Sequence, residues 1–252
     1  MKSKILNNSI IIFFVLLLTS FTPQKDFLSE QKTYERVRKA IDEKGNIVAN
    51  NLKQAGIHID NFNMLIVAYK AESCLDIFVK QKTETTYKKL ASYSICARSG
   101  KLGPKRQYGD YQVPEGFYHI AQYNPASSYY LSLGLNYPNR SDRGKSKAAN
   151  LGGDIYIHGS CVTIGCMPMT DDKIKELYLY AIYAKQNGQN SIPVYVFPFK
   201  MDNQNFTQYQ EKYSNDTELI SFWKNIKQGF DIFTKTNKEL KYSVDKDGNY
   251  CF

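Results

Sequence analysis

His158 and Cys166, in the stretch DIYIHGSCVTIGCMPM from Asp154 to Met169, are the residues best suited by type and spacing to do chemistry. An apolar alternating run delivers the histidine, and a loop of small residues leads on to Gly165 and Cys166. A thiol is a weak nucleophile until it loses its proton, and a neighbouring imidazole lowers its pKa by forming an ion pair. Gly159 and Gly165 let the backbone turn sharply and bring main-chain N–H groups close to a substrate carbonyl, as acyl transfer requires. Residue types alone leave other readings open. A histidine and a cysteine at this separation are also ordinary core neighbours. A metal site of His158, Cys161 and Cys166 lacks the usual C-x2-C or H-x3-H pairing and a fourth ligand. A dithiol of Cys161 and Cys166 lacks the C-x-x-C spacing of redox pairs.

The other histidines read as structural. His119 falls in a period-two pattern with Phe117, and His58 sits in a connection between a helix and a strand. The five cysteines, Cys74, Cys96, Cys161, Cys166 and Cys251, are odd in number and irregular in spacing, which argues against a full disulfide framework and leaves at least one thiol free. Cys161, inside the loop, is expected to be a small packing thiol.

Elements that would position these residues follow from periodicity. Short β-rich runs cover 64–69, 75–80, 87–95, 117–122, 129–133, 154–158 and 193–197, separated by turn signals, in the rhythm of a mostly antiparallel β-sandwich or open barrel. A helix beginning after Thr170 buries Ile174, Leu177, Tyr178, Ala181 and Ile182 and ends at Asn187-Gly188. A second, over 216–233, carries Leu219, Phe222, Trp223, Ile226 and Phe230 on one face, and Asp247-Gly248 reads as a hairpin turn. An N-terminal helix over 29–55, broken at Gly45, is expected to cover the strands. The class is α+β, mostly β, with helical additions at both ends.

Lys2 and Lys4 precede an apolar run from Ile10 to Leu18, the order of a secretory signal peptide and too short to span a membrane comfortably. Residues 1–22 are therefore read as a signal peptide or an uncleaved anchor, 23–61 as a helical segment, 62–199 as the β-rich body of the chain and 200–252 as a helix and hairpin extension. The net charge of +9 is spread along the chain without a continuous Lys/Arg block. Outside the cytoplasm such a surface favours anionic envelope polymers, and nucleic acid is not an expected partner.

The block HGSCVTIGCMPM resembles the active-site motif of the YkuD-type L,D-transpeptidases, an HG dipeptide followed by S/T-x-G-C, here His158, Gly159, Thr163, Gly165 and Cys166. GPKRQYGDYQVPEGFYHI (Gly103–Ile120) and LSLGLNYPN (Leu131–Asn139) resemble further elements of the family, so the resemblance spans about 62–199. The commoner motif has a second histidine before the glycine. Ile164 stands there instead, as in the YafK-like branch.

The resemblance implies a YkuD-like catalytic domain in the periplasm or cell envelope, acting on peptidoglycan stem peptides and possessing no cofactor or metal. Cys166 would be the nucleophile, His158 its base, and the Gly159 carbonyl the group that orients the imidazole. The oxyanion would rest on the backbone N–H groups of Ile164, Gly165 and Cys166. Thr163, Ser160, Lys105, Arg106 and Tyr118 are expected to contact substrate. The thioester would be resolved by an amine of a second stem peptide or a wall-attached lipoprotein. Hydrolysis of peptide or protein–peptidoglycan links is the alternative, and an inactive envelope-binding module the second. Contact with a membrane is expected only if the N-terminal segment stays uncleaved.

Overall fold

The computed structural model describes residues 26–252, so the expected leader at 1–22 lies outside the described residues. After a short helix α1 (Phe27–Gln31), α2 (Glu35–Gln54) runs unbroken through Gly45. A helical glycine costs about 1 kcal/mol relative to alanine. Val37, Ala40, Val48 and Leu52, fully buried on either side of it, outweigh that cost. The break falls earlier, between the two helices.

Eight strands form one curled sheet: β1 (Phe62–Tyr69), β2 (Cys74–Gln81), β3 (Lys88–Ser94), β4 (Gly116–Asn124), β5 (Ser132–Leu135), β6 (Tyr156–His158), β7 (Met167–Pro168) and β8 (Pro193–Phe197), in the order β3-β2-β1-β8-β4-β5-β6-β7. The β1–β8 and β6–β7 pairs are parallel and the remaining neighbours antiparallel. The expected α+β class therefore forms, with helices covering both faces of the sheet.

β1 shows why. Met64, Ile66 and Ala68 point into a core shared with α2 and α4 (Asp171–Gln186), whereas Leu65, Val67 and Tyr69 point into a second core beneath α6 (Thr217–Thr236). A strand buried on both faces reads as a continuous apolar run, and FNMLIVAY is one. α4 starts at Thr170, whose side chain accepts the Lys173 N–H, and is buried almost all round because it lies between the sheet and α2. α6 is capped by Asp216 and seats Trp223 and Phe230 against the Phe117, Tyr195 and Phe197 face.

Two helices were not legible from periodicity. α3 (Arg140–Lys145) is held by a capping box between Asn139 and Asp142, and α5 (Asn203–Lys212) by Asp202. Both are too polar to show an apolar stripe. A final hairpin, β9 (Ser243–Val244) with β10 (Tyr250–Cys251), turns at Asp247-Gly248 as expected. Its Tyr250 ring packs on Phe117 at 4.7 Å.

Candidate active site

The register of the parallel β6–β7 pair sets Ile157 beside Met167 and His158 beside Pro168. Ile157 and Met167 point together into the core. Because side chains alternate along a strand, His158 and Cys166, one step to either side of that buried pair, emerge on the opposite face. The return from His158 to Cys166 is a loop pinned by two hydrogen bonds and by two glycines in crowded positions. The Gly159 N–H donates to the Leu131 carbonyl, and the Ser160 N–H donates to Asp171 Oδ1 at 2.9 Å, in the first turn of α4. A side chain at Gly159 would meet Asp171 Oδ1 at 2.6 Å. Gly165, at φ +141°, has the Gln112 carbonyl 3.2 Å from the place a Cβ would take, so this position needs glycine on both grounds.

His158 is 1 % exposed, and its Nδ1 pairs with the Gly159 carbonyl. That contact requires a proton on Nδ1 and leaves Nε2 as the basic nitrogen. No hydrogen bond occupies Nε2 among the described residues. The half-exposed ring of Tyr129 lies over the imidazole at 4.7 Å, and Arg36 of α2 holds that loop through the carbonyls of Ser127 and Tyr130. Tyr129 is a site residue that sequence reasoning missed, since nothing in its spacing sets it apart from the other aromatics.

Cys166 carries a free thiol. Its sulfur accepts the Tyr156 N–H at 3.4 Å and donates to the Asp154 carbonyl at 3.5 Å. Burial pushes this thiol above its ordinary pKa, a rise that the Tyr156 N–H and the Lys105 charge only partly offset. Burial likewise pushes the His158 imidazole down, against the Gly159 contact. Each group is thus biased towards its neutral form. Burial therefore works against the thiolate–imidazolium pair expected from sequence.

The expected oxyanion donors are also changed. Thr163 Oγ1 accepts both the Gly165 N–H, at 3.1 Å, and the Cys166 N–H, at 2.8 Å, while donating to the Cys166 carbonyl at 2.9 Å. Only the N–H of exposed Ile164 is left without a partner among the three. Thr163 therefore builds the loop and holds the place of an acceptor where a carbonyl oxygen was expected.

Three of the expected substrate contacts point elsewhere. Tyr118 is 2 % exposed, with its hydroxyl between the Glu115 carbonyl and Asp142, so it serves packing. The buried Lys105 ammonium is spent on Asp110 and the Gln107 carbonyl. Arg106 pairs with Asp142 and lies over Phe222 of α6 at 4.9 Å. Cys161 is corrected as well: it is bonded to Cys96, beyond the end of β3, and ties the loop to the sheet. His119 is a strand residue of β4, as read from sequence.

Cys166 opens on a cavity of about 330 Å³, bounded by the 95–102 segment and by Tyr209, Lys212 and Tyr213 of the C-terminal region. The floor is braced by Lys70, whose ammonium bonds to Glu115 and to the carbonyls of Gly103 and Val113. Glu115 in turn accepts the Trp223 indole N–H at 2.9 Å. The described residues contain no cluster of ligands able to hold a metal ion.

The family model for YkuD, the L,D-transpeptidase catalytic domain, matches residues 63–196, the segment that carries both His158 and Cys166. The chain belongs to the YkuD family. It is 39% identical over 181 residues to a protein of Escherichia coli (strain K12) named "Putative L,D-transpeptidase YafK", covering 71% of this chain and 70% of that one. Among solved structures, it is similar to the helical cell shape determining protein Pgp2 from Campylobacter jejuni (TM-score 0.43, 18% identity, 73% of this chain and 74% of that one). It is also similar to Bd1075 of Bdellovibrio bacteriovorus (TM-score 0.39, 20% identity, 72% and 74%). Membership of the YkuD family makes this a cell-wall enzyme of the transpeptidase type.

Proposed function

We propose that this YkuD-family enzyme forms a thioester between Cys166 and a peptidoglycan stem peptide, and passes the acyl group to an amine. The observation that carries the proposal is a free thiol on the wall of an open cavity, on the same sheet face as an imidazole with Nδ1 fixed and Nε2 uncommitted. His158 Nε2 takes the thiol proton as Cys166 Sγ attacks the carbonyl carbon of an L-centre joined to a D-residue. Collapse of the tetrahedral intermediate breaks the C–N bond, and the proton passes from His158 to the departing amine. An incoming amine then attacks the thioester, gives its proton to His158, and the sulfur leaves and recovers one. The Ile164 N–H is available to the oxyanion, and the Gly165 and Cys166 N–H groups join it if the carbonyl oxygen replaces the Thr163 hydroxyl as their acceptor.

The Cys96–Cys161 disulfide supports action outside the reducing cytoplasm, in the periplasm or envelope. Among the described residues no helix is long and apolar enough to cross a membrane.

The test is incubation of the protein with disaccharide-tetrapeptides, with and without an excess of a D-amino acid, and identification of products by mass. Exchange or dimer formation, abolished by Cys166→Ser and by His158→Ala, is the expected result. Exclusive release of shortened stems, with no amine incorporated, would replace transfer with hydrolysis.

A further inference from the structure

We propose that the cavity beside Cys166 is a binding subsite for a substrate carboxylate, with a cationic wall completed by the C-terminal extension. This rests on the stem-peptide reading above. Arg98, Lys101 and Lys212 all border the cavity, no carboxylate does, and none of the three forms an ion pair among the described residues. Lys70, the fourth cation at the wall, is already committed to Glu115. The uncompensated charge of the cavity is therefore positive. The Ser99 hydroxyl, also in the lining, is buried without a hydrogen-bond partner. A buried polar group left unpaired costs stability unless a ligand satisfies it, so this hydroxyl is a donor in wait of an acceptor.

The position of the charge narrows the ligand. Cys166 itself lines the cavity, so a substrate group bound there adjoins the place where the carbonyl is attacked. Two carboxylates of a stem peptide meet that condition: the terminal carboxylate of the departing D-residue, and a side-chain carboxylate on the acyl-donating residue. Either pairs with Arg98 or Lys212 by charge-assisted hydrogen bonds, while Met167, Leu102 and Tyr213 supply apolar contact. Lys212 belongs to α5, outside the segment matched by the family model. The extension thus contributes to recognition in addition to covering the sheet. The expected recognition by Lys105 and Arg106 moves to a different set of cations, Arg98, Lys101 and Lys212.

The experiment compares three synthetic stem peptides on the full-length protein: one with both carboxylates free, one amidated at the terminus, and one amidated on the donor side chain. Binding is measured by calorimetry and acylation of Cys166 by mass, for wild type and for the double variant Arg98→Gln/Lys212→Gln. Both residues are exposed, so the fold is expected to persist, with thermal unfolding as the control. Wild type should bind one of the two amides about tenfold or more weakly than the free acid, and the double variant should lose that discrimination. The amide that binds poorly identifies the carboxylate. Equal binding of all three peptides by wild type, an equal loss for all three in the variant, or no binding of any of them would overturn the subsite. Carboxylate-dependent binding without acylation of Cys166 would leave the subsite standing and remove the thioester reaction. Acylation without discrimination would do the reverse.

Discussion

At the scale of single residues, burial biases the two reacting groups towards neutrality, and this has a signature in pH. With the Cys166 thiol pushed up and the His158 imidazole pushed down, the proposed reaction starts from a neutral base and a protonated nucleophile. The rate kcat/KM should rise as His158 loses its proton, with a midpoint below the ordinary histidine value of about 6.5, and hold into the alkaline range. Alkylation of Cys166 without substrate should be no faster at pH 6 than that of an ordinary thiol. Rapid alkylation at that pH would restore the ion pair. Stability follows the same sign. Folding lowers the His158 pKa, so the contribution of its neutral imidazole is present above about pH 6.5 and is lost as the pH falls from there through the folded value. The Thr163 hydroxyl offers a second check. Thr163→Ser keeps its three hydrogen bonds and should retain activity, whereas Thr163→Val leaves two N–H groups unpaired and should cost about 1–3 kcal/mol in stability, read by denaturant unfolding. His158 and Cys166 could be singled out in the sequence because their residue types and spacing suit thiol chemistry. The state of the oxyanion donors was not legible there, because a hydroxyl two or three residues away competes for them. Nor was the inward turn of Lys105 and Tyr118, which depends on the chain folding back to set Asp110 against Lys105 and on Asp142 arriving from α3.

At the scale of elements, the disulfide is the feature with the largest consequence. Cys96 and Cys161 are separated by 65 positions, and a crosslink over a loop of that size contributes about 4 kcal/mol by restricting the unfolded chain. Cys161→Ser should therefore lower the unfolding midpoint, and should also lower turnover by freeing the loop between His158 and Cys166. Adding reductant to wild type should reproduce the stability loss, and should leave Cys161→Ser unchanged. An unaltered melting curve for the variant would show that the crosslink carries no stability. The odd cysteine count announced a free thiol but not which pair would bond, since the partners meet only when the loop returns beside the end of β3. The longer strands and the α4 and α6 helices were legible because apolar residues repeat at their periods. α3 and α5 are held by polar caps and were invisible to periodicity.

At the scale of the whole molecule, the C-terminal residues are bound to the sheet by the aromatic core beneath α6 and by a buried chain of contacts, Trp223 to Glu115 to Lys70. Trp223 is fully buried, and Trp223→Ala should cost about 3–5 kcal/mol, whereas Trp223→Phe, which keeps most of the packing and removes the indole donor, should cost less. Denaturant unfolding of both variants checks the order, and equal losses would mean that the hydrogen bond, not the packing, holds the extension. The sequence marked the α6 aromatics as core. It did not show that α5 lies beside the nucleophile, because that requires the chain to cross the sheet after β8. The central claim, that Cys166 is acylated by a stem peptide, is tested most directly by the intact mass of the protein after acid quenching during turnover of a disaccharide-tetrapeptide. The predicted result is a species heavier by the acyl fragment, located at Cys166 by peptide mapping, sensitive to hydroxylamine and absent from Cys166→Ser. Turnover by wild type with no adduct at any quench time, or the same products formed by Cys166→Ser, would contradict it.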